Sequence, residues 1–177
     1  PDDRRNMLFV NQGLNASGEP SFKEMAADYK IDFNGHSVMA AFFDYDRDGD
    51  LDLYILVNQK LDKVPTNYRA KIVDGLAANN DRLFRNEGDG SFTDVTIEAG
   101  IIFEGFGLGL AITDANTDGW PDIYVSNDYL SNDLLYINNR NGTFTNGSPE
   151  FIGHQSQFSM GNDASDINND DIPQITT

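Results

Sequence analysis

The sequence contains no cysteine, which excludes a disulfide framework and a thiolate metal site. It contains no apolar run of about 18 residues, so we expect no membrane-spanning helix. Only 12 lysines and arginines stand against 29 aspartates and glutamates, which argues against nucleic acid or an anionic membrane surface as a partner. With two histidines and no Gly-x-Ser-x-Gly motif, no nucleophile–base pair is discernible, so the sequence predicts no catalytic residues.

Many of the acidic residues lie in three loops that share one spacing. Loop one (44–52) has glycine at position six and acids at positions one, three, five, seven and nine, namely Asp44, Asp46, Asp48, Asp50 and Asp52. Alternate side chains of such a loop can point inward, and glycine allows the positive φ of a sharp turn. Hard carboxylate oxygens suit Ca²⁺, so loop one predicts a calcium site.

The same spacing returns in loop two (114–122) and loop three (166–174). Loop two keeps the glycine and carries Asp114, Asn116, Asp118, Trp120 and Asp122. Loop three carries Asp166, Asn168, Asp170 and Ile172, but Asp171 replaces the glycine and Gln174 replaces the last acid. The alternative for each loop is an ion-free turn held by its own Asn and Asp side chains.

An EF-hand loop also opens with alternating acids, but it requires a bidentate acid at position twelve and flanking helices. Position twelve is occupied by Ile55, Val125 and Thr177, and the flanking residues are typical of strands. The sequence therefore excludes an EF-hand.

Strand-like runs repeat in register with the loops. A run of small residues precedes each loop and an apolar run follows it. A further run then leads to a glycine-rich turn, as in Leu8-Phe9-Val10-Asn11, Leu83-Phe84-Arg85-Asn86 and Leu135-Tyr136-Ile137-Asn138. Four-stranded units of roughly 50 residues are typical of a β-propeller, an all-β fold.

We divide the chain accordingly. Residues 1–35 hold the last two strands of one blade, 36–105 a blade with an insert at 58–81, 106–157 another blade, and 158–177 the first two strands of a further blade. About three blades is fewer than the usual ring of about 4–8, so we expect a segment of a larger propeller. In the insert, Ile72, Val73 and Leu76 stand at helical spacing and predict a short helix.

These repeats resemble the FG-GAP/VCBS family, the calcium-loop propeller repeats of integrin α subunits and many bacterial surface proteins. The resemblance rests on the three loops with their flanks, on Phe106-Gly107-Leu108-Gly109-Leu110-Ala111 and on Phe158-Ser159-Met160-Gly161. It extends over essentially the whole chain. The sequence is most similar to bacterial VCBS-repeat proteins that carry an ASPIC/UnbV-type domain.

The resemblance implies which oxygens hold calcium. In loop one they are the side chains of Asp44, Asp46, Asp48 and Asp52 and the backbone carbonyl of Asp50. In loop two they are the side chains of Asp114, Asn116, Asp118 and Asp122 and the carbonyl of Trp120. In loop three Asp166, Asn168, Asp170 and the carbonyl of Ile172 remain. Loop two has lost one charge, and whether loop three holds an ion stays open.

The resemblance also implies a role at the cell surface or outside the cell, most typically on a bacterial exterior. We expect a protein or polysaccharide ligand on one propeller face, and further domains in a longer chain. The alternatives are part of a propeller-type polysaccharide lyase, or a structural spacer in a large surface protein. Five aromatic residues could stack on sugars or fill the core, namely Tyr54, Phe106, Trp120, Tyr124 and Tyr129.

Overall fold

The computed structural model describes residues 3–59, 70–129, 131–156 and 158–177. These residues form twelve strands and one four-residue helix. The first six strands are β1 (Phe9–Leu14), β2 (Pro20–Glu24), β3 (Ser37–Phe43), β4 (Asp52–Val57), β5 (Arg82–Asn86) and β6 (Phe92–Asp94). The others are β7 (Gly107–Thr113), β8 (Asp122–Asn127), β9 (Leu134–Asn138), β10 (Phe144–Asn146), β11 (Asp163–Ser165) and β12 (Gln174–Thr176), with α1 (Ser148–Phe151) after β10.

Each strand pairs antiparallel with its neighbour in sequence. Strands β3 to β6 form one four-stranded sheet and β7 to β10 form another, while β1–β2 and β11–β12 form two-stranded sheets. Most paired strands follow one another through a turn or a short loop, which is all that antiparallel neighbours need, whereas β4 and β5 are joined by the longer insert at 58–81. The predicted all-β fold with four-stranded, blade-like sheets is confirmed.

The central strand β4 shows how the sheets pack on one another. All six of its residues are buried, although side chains alternate between the two faces of a strand. Tyr54 and Leu56 join a core shared with the β7–β10 sheet. Leu53, Ile55 and Val57 join a second core on the side of the β1–β2 sheet. The sheet is therefore covered on both faces, which explains why β4 is a continuous apolar run and does not alternate between apolar and polar residues.

Small residues in β7 allow neighbouring sheets to approach closely. A Cβ atom added at Gly109 would lie 2.9 Å from the Cα atom of Gly161, just before β11. Strand β7 packs beside both β3 and β11. The first strands of successive sheets therefore lie side by side, and glycine at the contact of β7 with the segment before β11 allows close approach.

The helix predicted within the insert is wrong for the residues that are described, since 70–76 contain no helix. Gly75 adopts a φ of +77°, and Ile72 pairs with Glu104 through hydrogen bonds of 2.7 and 3.0 Å. These long-range bonds hold the backbone out of a helix. The rest of that prediction lies in 60–69, outside the described residues. None of the described residues belongs to a helix long and apolar enough for a bilayer crossing.

Candidate metal centre

The three acidic loops occupy equivalent places in their sheets. Loop one joins β3 to β4, loop two joins β7 to β8, and loop three joins β11 to β12. In each case the residue before the loop pairs with the residue at position nine, as in Phe43↔Asp52, Thr113↔Asp122 and Ser165↔Gln174. Each loop is thus the connection between the first two strands of a sheet.

The loops also share one backbone conformation. Positions four and six have a positive φ in all three: Arg47 (60°) and Gly49 (96°), Thr117 (56°) and Gly119 (88°), Asn169 (59°) and Asp171 (64°). The N–H at position six donates to the carboxylate at position one, with distances of 3.1, 2.7 and 2.9 Å in loops one, two and three. Loop three keeps this turn without glycine because aspartate tolerates the left-handed region better than most residues.

The acids at position nine tie the loops to their sheets. The Asp52 carboxylate accepts the N–H of Tyr45 at 3.1 Å and that of Asn86 at 2.8 Å. Asp122 makes the matching pair of bonds in loop two, both within 3 Å. Burial raises the pKa of Asp52 to about 6, although both backbone N–H groups lower it. Burial likewise raises the pKa of Asp122. Sequence reasoning predicted these two residues as ligands and missed this anchoring role.

Loop one brings three acids together. Asp44, Asp46 and Asp48 each offer a carboxylate oxygen, and these atoms lie within 4.8 Å of one another. Among the described residues, this is the one such group of three acidic or histidine side chains. Asp44 Oδ1 and Asp46 Oδ1 are buried and have no hydrogen-bond partner. Burial, followed by the charges of Asp48 and Asp44, raises the pKa of Asp46.

This cluster fits a divalent cation. Close carboxylates repel one another, and buried oxygens without donors have lost their water without gaining a partner. A hard cation such as Ca²⁺ would supply the missing charge to Asp44, Asp46 and Asp48. Asp50, the residue predicted to offer its carbonyl, stands at position seven, where its N–H donates to Asp48 at 2.9 Å.

Loop two satisfies its polar groups from within the chain. Asp114 accepts the N–H of Asp118 at 2.9 Å, and Asp118 accepts the Asn116 amide at 3.0 Å. Arg140 forms an ion pair with Asp118 at 2.8 Å. Burial acts to raise the pKa of Asp118, but the bonds from Arg140, Trp120 and Asn116 outweigh it and lower the pKa.

Loop three is more exposed and equally saturated. Asp166 accepts the N–H groups of Asp170 and Asp171 at 3.1 and 2.9 Å, and the Asn168 amide donates to Asp170 at 2.9 Å. The Gln174 amide donates to the Ile172 carbonyl at 2.7 Å, which occupies an oxygen predicted to bind calcium. These bonds make loop three the poorest fit of the three.

A buried tyrosine–aspartate pair recurs in both four-stranded sheets and was not predicted. Tyr54 donates to Asp81 at 2.7 Å, and Tyr124 donates to Asp133 at 2.9 Å. Burial raises the pKa of Asp81 to about 7. The signal was present in the sequence, since each aspartate stands directly before the third strand of its unit.

The five aromatic residues considered as sugar-stacking groups divide clearly. Tyr54, Phe106 and Tyr124 are buried core residues. Tyr129 is 46% exposed and packs edge-on against Phe106, and Trp120 lies under the Arg47 guanidinium at 5.0 Å. Only Tyr129 and Trp120 therefore offer ring surface near solvent among these five.

A family model for the FG-GAP-like repeat matches the chain twice, over residues 72–125 and 114–175, which together are more than half of its length. The chain belongs to the FG-GAP-like repeat family. FG-GAP repeats form β-propellers, and the antiparallel four-stranded sheets agree, so the chain is a β-propeller-type module. No curated protein matches the chain.

Loop one precedes the first matched segment, but it has the same two hydrogen bonds as loop two. In both loops the N–H at position six donates to the acid at position one, and the N–H at position two donates to the acid at position nine. Both matched segments include loop two, and the second also includes loop three. The narrower resemblance to VCBS-repeat proteins with an ASPIC/UnbV-type domain stays a prediction.

Proposed function

We propose that this chain is a calcium-stabilised extracellular β-propeller module that binds a protein or polysaccharide ligand through loops on one face. The observation that carries the calcium part is the loop-one cluster with its two buried, unpartnered oxygens on Asp44 and Asp46. The ion would neutralise the clustered carboxylates and fix the hairpin between β3 and β4. No residue around the cluster stands ready to activate a water, so the role is structural.

The loops are proposed to differ in affinity. Loop one binds calcium most tightly, because Asp44 Oδ1 and Asp46 Oδ1 are buried and have no other hydrogen-bond partner. Loop two binds more weakly, since the ion must displace Arg140 from Asp118 and Asn116 provides no charge. Loop three is the weakest, because Gln174 is neutral and holds the Ile172 carbonyl.

A cleft beside loop one supports the binding part of the proposal. It has a volume of about 420 Å³ and lies between the loop and the β9–β10 turn. Arg85, Glu98 and Arg140 line it together with Asp46 and Asp48. With Asp46 and Asp48 holding the ion, Arg85, Glu98 and Arg140 still offer charges of both signs to a polar ligand. FG-GAP repeats are typical of extracellular and cell-surface proteins, which supports the proposed location.

Bound-metal counting tests the calcium part. Protein stripped with chelator, dialysed against micromolar Ca²⁺ and analysed by elemental mass spectrometry should retain one ion per chain. Asp46→Asn should retain none, because it removes one charge from the cluster without changing its shape. Asp28→Asn is the control, since it removes an exposed carboxylate outside the loops. Equal retention in all three proteins, or none in the unaltered chain, would contradict the calcium site.

A ligand screen then tests the binding part. Acidic and neutral glycans and surface proteins are offered to the calcium-loaded chain, and both capture and breakdown are measured. Capture without breakdown supports the proposal. Breakdown of an acidic glycan would instead indicate a lyase, and neither result would indicate a spacer.

A further inference from the structure

One buried side chain of the β7–β10 sheet reaches across to loop one. Asn138 ends β9 and is 2% exposed. Its amide nitrogen donates to the Tyr45 carbonyl at 2.8 Å and to the Pro121 carbonyl at 3.2 Å. Its amide oxygen accepts the N–H of Arg140 at 2.9 Å. Its backbone N–H donates to Asp122 at 2.8 Å. Every polar group of this side chain therefore has a partner.

The bonded carbonyl belongs to the residue between two acids of the cluster. The Tyr45 carbonyl is part of the peptide unit that leads to Asp46. The backbone N–H of Tyr45, in the preceding peptide unit, donates to Asp52 at 3.1 Å. Because a peptide unit is planar, a fixed carbonyl sets the direction in which the chain continues. The hydrogen bond from Asn138 to the Tyr45 carbonyl therefore helps to position the Asp46 side chain relative to that of Asp44.

Two further contacts hold loop one against the same sheet. The rings of Tyr45 and Phe144 lie 5.8 Å apart. The Arg47 guanidinium lies 5.0 Å above the Trp120 ring of loop two. The neighbouring sheet thus contacts loop one at Tyr45 and at Arg47. Asn138 makes the hydrogen bond among these contacts.

We infer that Asn138 is a positioning residue for the cation site in loop one, acting from the neighbouring sheet through the Tyr45 carbonyl. This inference rests on the proposed function, because it requires that loop one binds a cation. On this inference, the calcium affinity of loop one depends on the packing of the β3–β6 sheet against the β7–β10 sheet. Calcium in loop one and a firm contact between these sheets should therefore favour each other.

The test compares two asparagine variants of the same sheet. Asn138→Ala removes the bond to Tyr45, whereas Asn127→Ala removes a buried asparagine at the opposite end of the sheet. Asn127 accepts the N–H of Phe106 at 2.8 Å and donates to Asn132 at 3.2 Å, so its loss is comparable. Calcium titration at a temperature well below both melting transitions gives the affinity, and melting in chelator gives the stability without metal.

We expect Asn138→Ala to weaken loop-one calcium binding about fivefold, the usual effect of one buried hydrogen bond. Asn127→Ala should lower the melting temperature in chelator yet leave calcium affinity within about twofold of the unaltered chain. If both variants weaken calcium binding equally, or neither does, the inference is wrong.

A second variant covers the case in which Asn138→Ala does not fold. Asn138→Leu keeps the branched shape and approximate size of the side chain and adds no charge, but it loses the donor to Tyr45. It should also bind calcium more weakly, and unchanged affinity would overturn the inference. If the unaltered chain binds no calcium at all, the proposed function fails and this inference fails with it. The two failures are therefore distinguishable.

Discussion

In loop one and loop two the glycine N–H donates to the first aspartate and the ninth residue is fully buried. Among the side chains proposed as ligands, the two loops differ at position three, where loop one has Asp46 and loop two has Asn116. Loop one consequently places three carboxylates within 4.8 Å, whereas loop two pairs Asp118 with Arg140. We propose that loop one takes its positive charge from a bound cation, whereas loop two takes much of it from Arg140. A shared turn therefore does not fix a shared affinity.

The largest effect should come from breaking loop one. Asp48→Ala removes one of the three clustered acids, and we expect calcium affinity to fall at least tenfold, because charge count sets the affinity of such loops. Calcium at 100 times its Kd stabilises a protein by about 2.7 kcal/mol, or about 5–10 °C in a chain of this size. At the same calcium concentration, the variant should lose about half of this rise or more in a thermal melt. An unchanged melt in calcium and in chelator would contradict the structural role.

The second prediction makes loop two resemble loop one. Asn116→Asp with Arg140→Gln adds a carboxylate and releases Asp118 from its ion pair. We expect loop two to bind calcium about tenfold more tightly, with lower stability in chelator because the acids then repel. Calorimetry measures the affinity. Arg140→Gln alone is the control and should give a smaller gain. No gain in the double variant would mean that another feature weakens loop two.

The third prediction concerns pH and the buried pair of the first four-stranded sheet. Burial raises the pKa of Asp81 to about 7 in the folded chain, from a usual value of 3.8. The folded chain therefore keeps a proton that the unfolded chain releases, and stability falls as the pH rises through this window. Asp81 should contribute at most about 1.4 kcal/mol per pH unit to this slope, to which Asp52, with its pKa raised to about 6, adds in the same direction.

Urea unfolding in chelator at several pH values measures that slope. Asp81→Asn resembles the protonated acid at every pH and should flatten the dependence relative to the unaltered chain. Equal slopes in the two proteins would show that Asp81 does not hold its proton in the folded state.

The smallest effect is expected from repairing loop three. Asp171→Gly removes the left-handed non-glycine residue, worth about 1 kcal/mol, and Gln174→Asp restores the ninth acid. The double variant should bind one further ion per chain at millimolar calcium, as counted by elemental analysis. Asp171→Gly alone should bind none, because Gln174 still holds the Ile172 carbonyl. An unchanged count in the double variant would mean that loop three is disabled for other reasons, since loop two has asparagine at the same position as Asn168.

The strands and turns could be predicted because their signals are local. The spacing of loop one sets its turn, and the apolar run from Leu53 to Val57 identifies a buried strand. The helix at Ile72 was wrong because helical spacing did not reveal the competing bonds to Glu104, which lies 32 residues away. Local pattern predicted the fold class but not the path of the insert.

The candidate site was predictable only in part for the same reason. Asp44, Asp46 and Asp48 are close in sequence, so their clustering followed from the turn. The ion pair of Arg140 with Asp118 joins residues 22 apart, and the bond of Asn138 to Tyr45 joins residues 93 apart. No spacing rule predicts such contacts, and they decide how each loop is neutralised and supported.

The most direct test of the account is calcium titration calorimetry on chelator-stripped protein, with a thermal melt in each state. We predict one tight site that Asp48→Ala weakens at least tenfold, a weaker second site, and a melting temperature that rises with calcium. No binding heat at millimolar calcium, together with identical melts, would show that the loops are ion-free turns and would contradict the central claim.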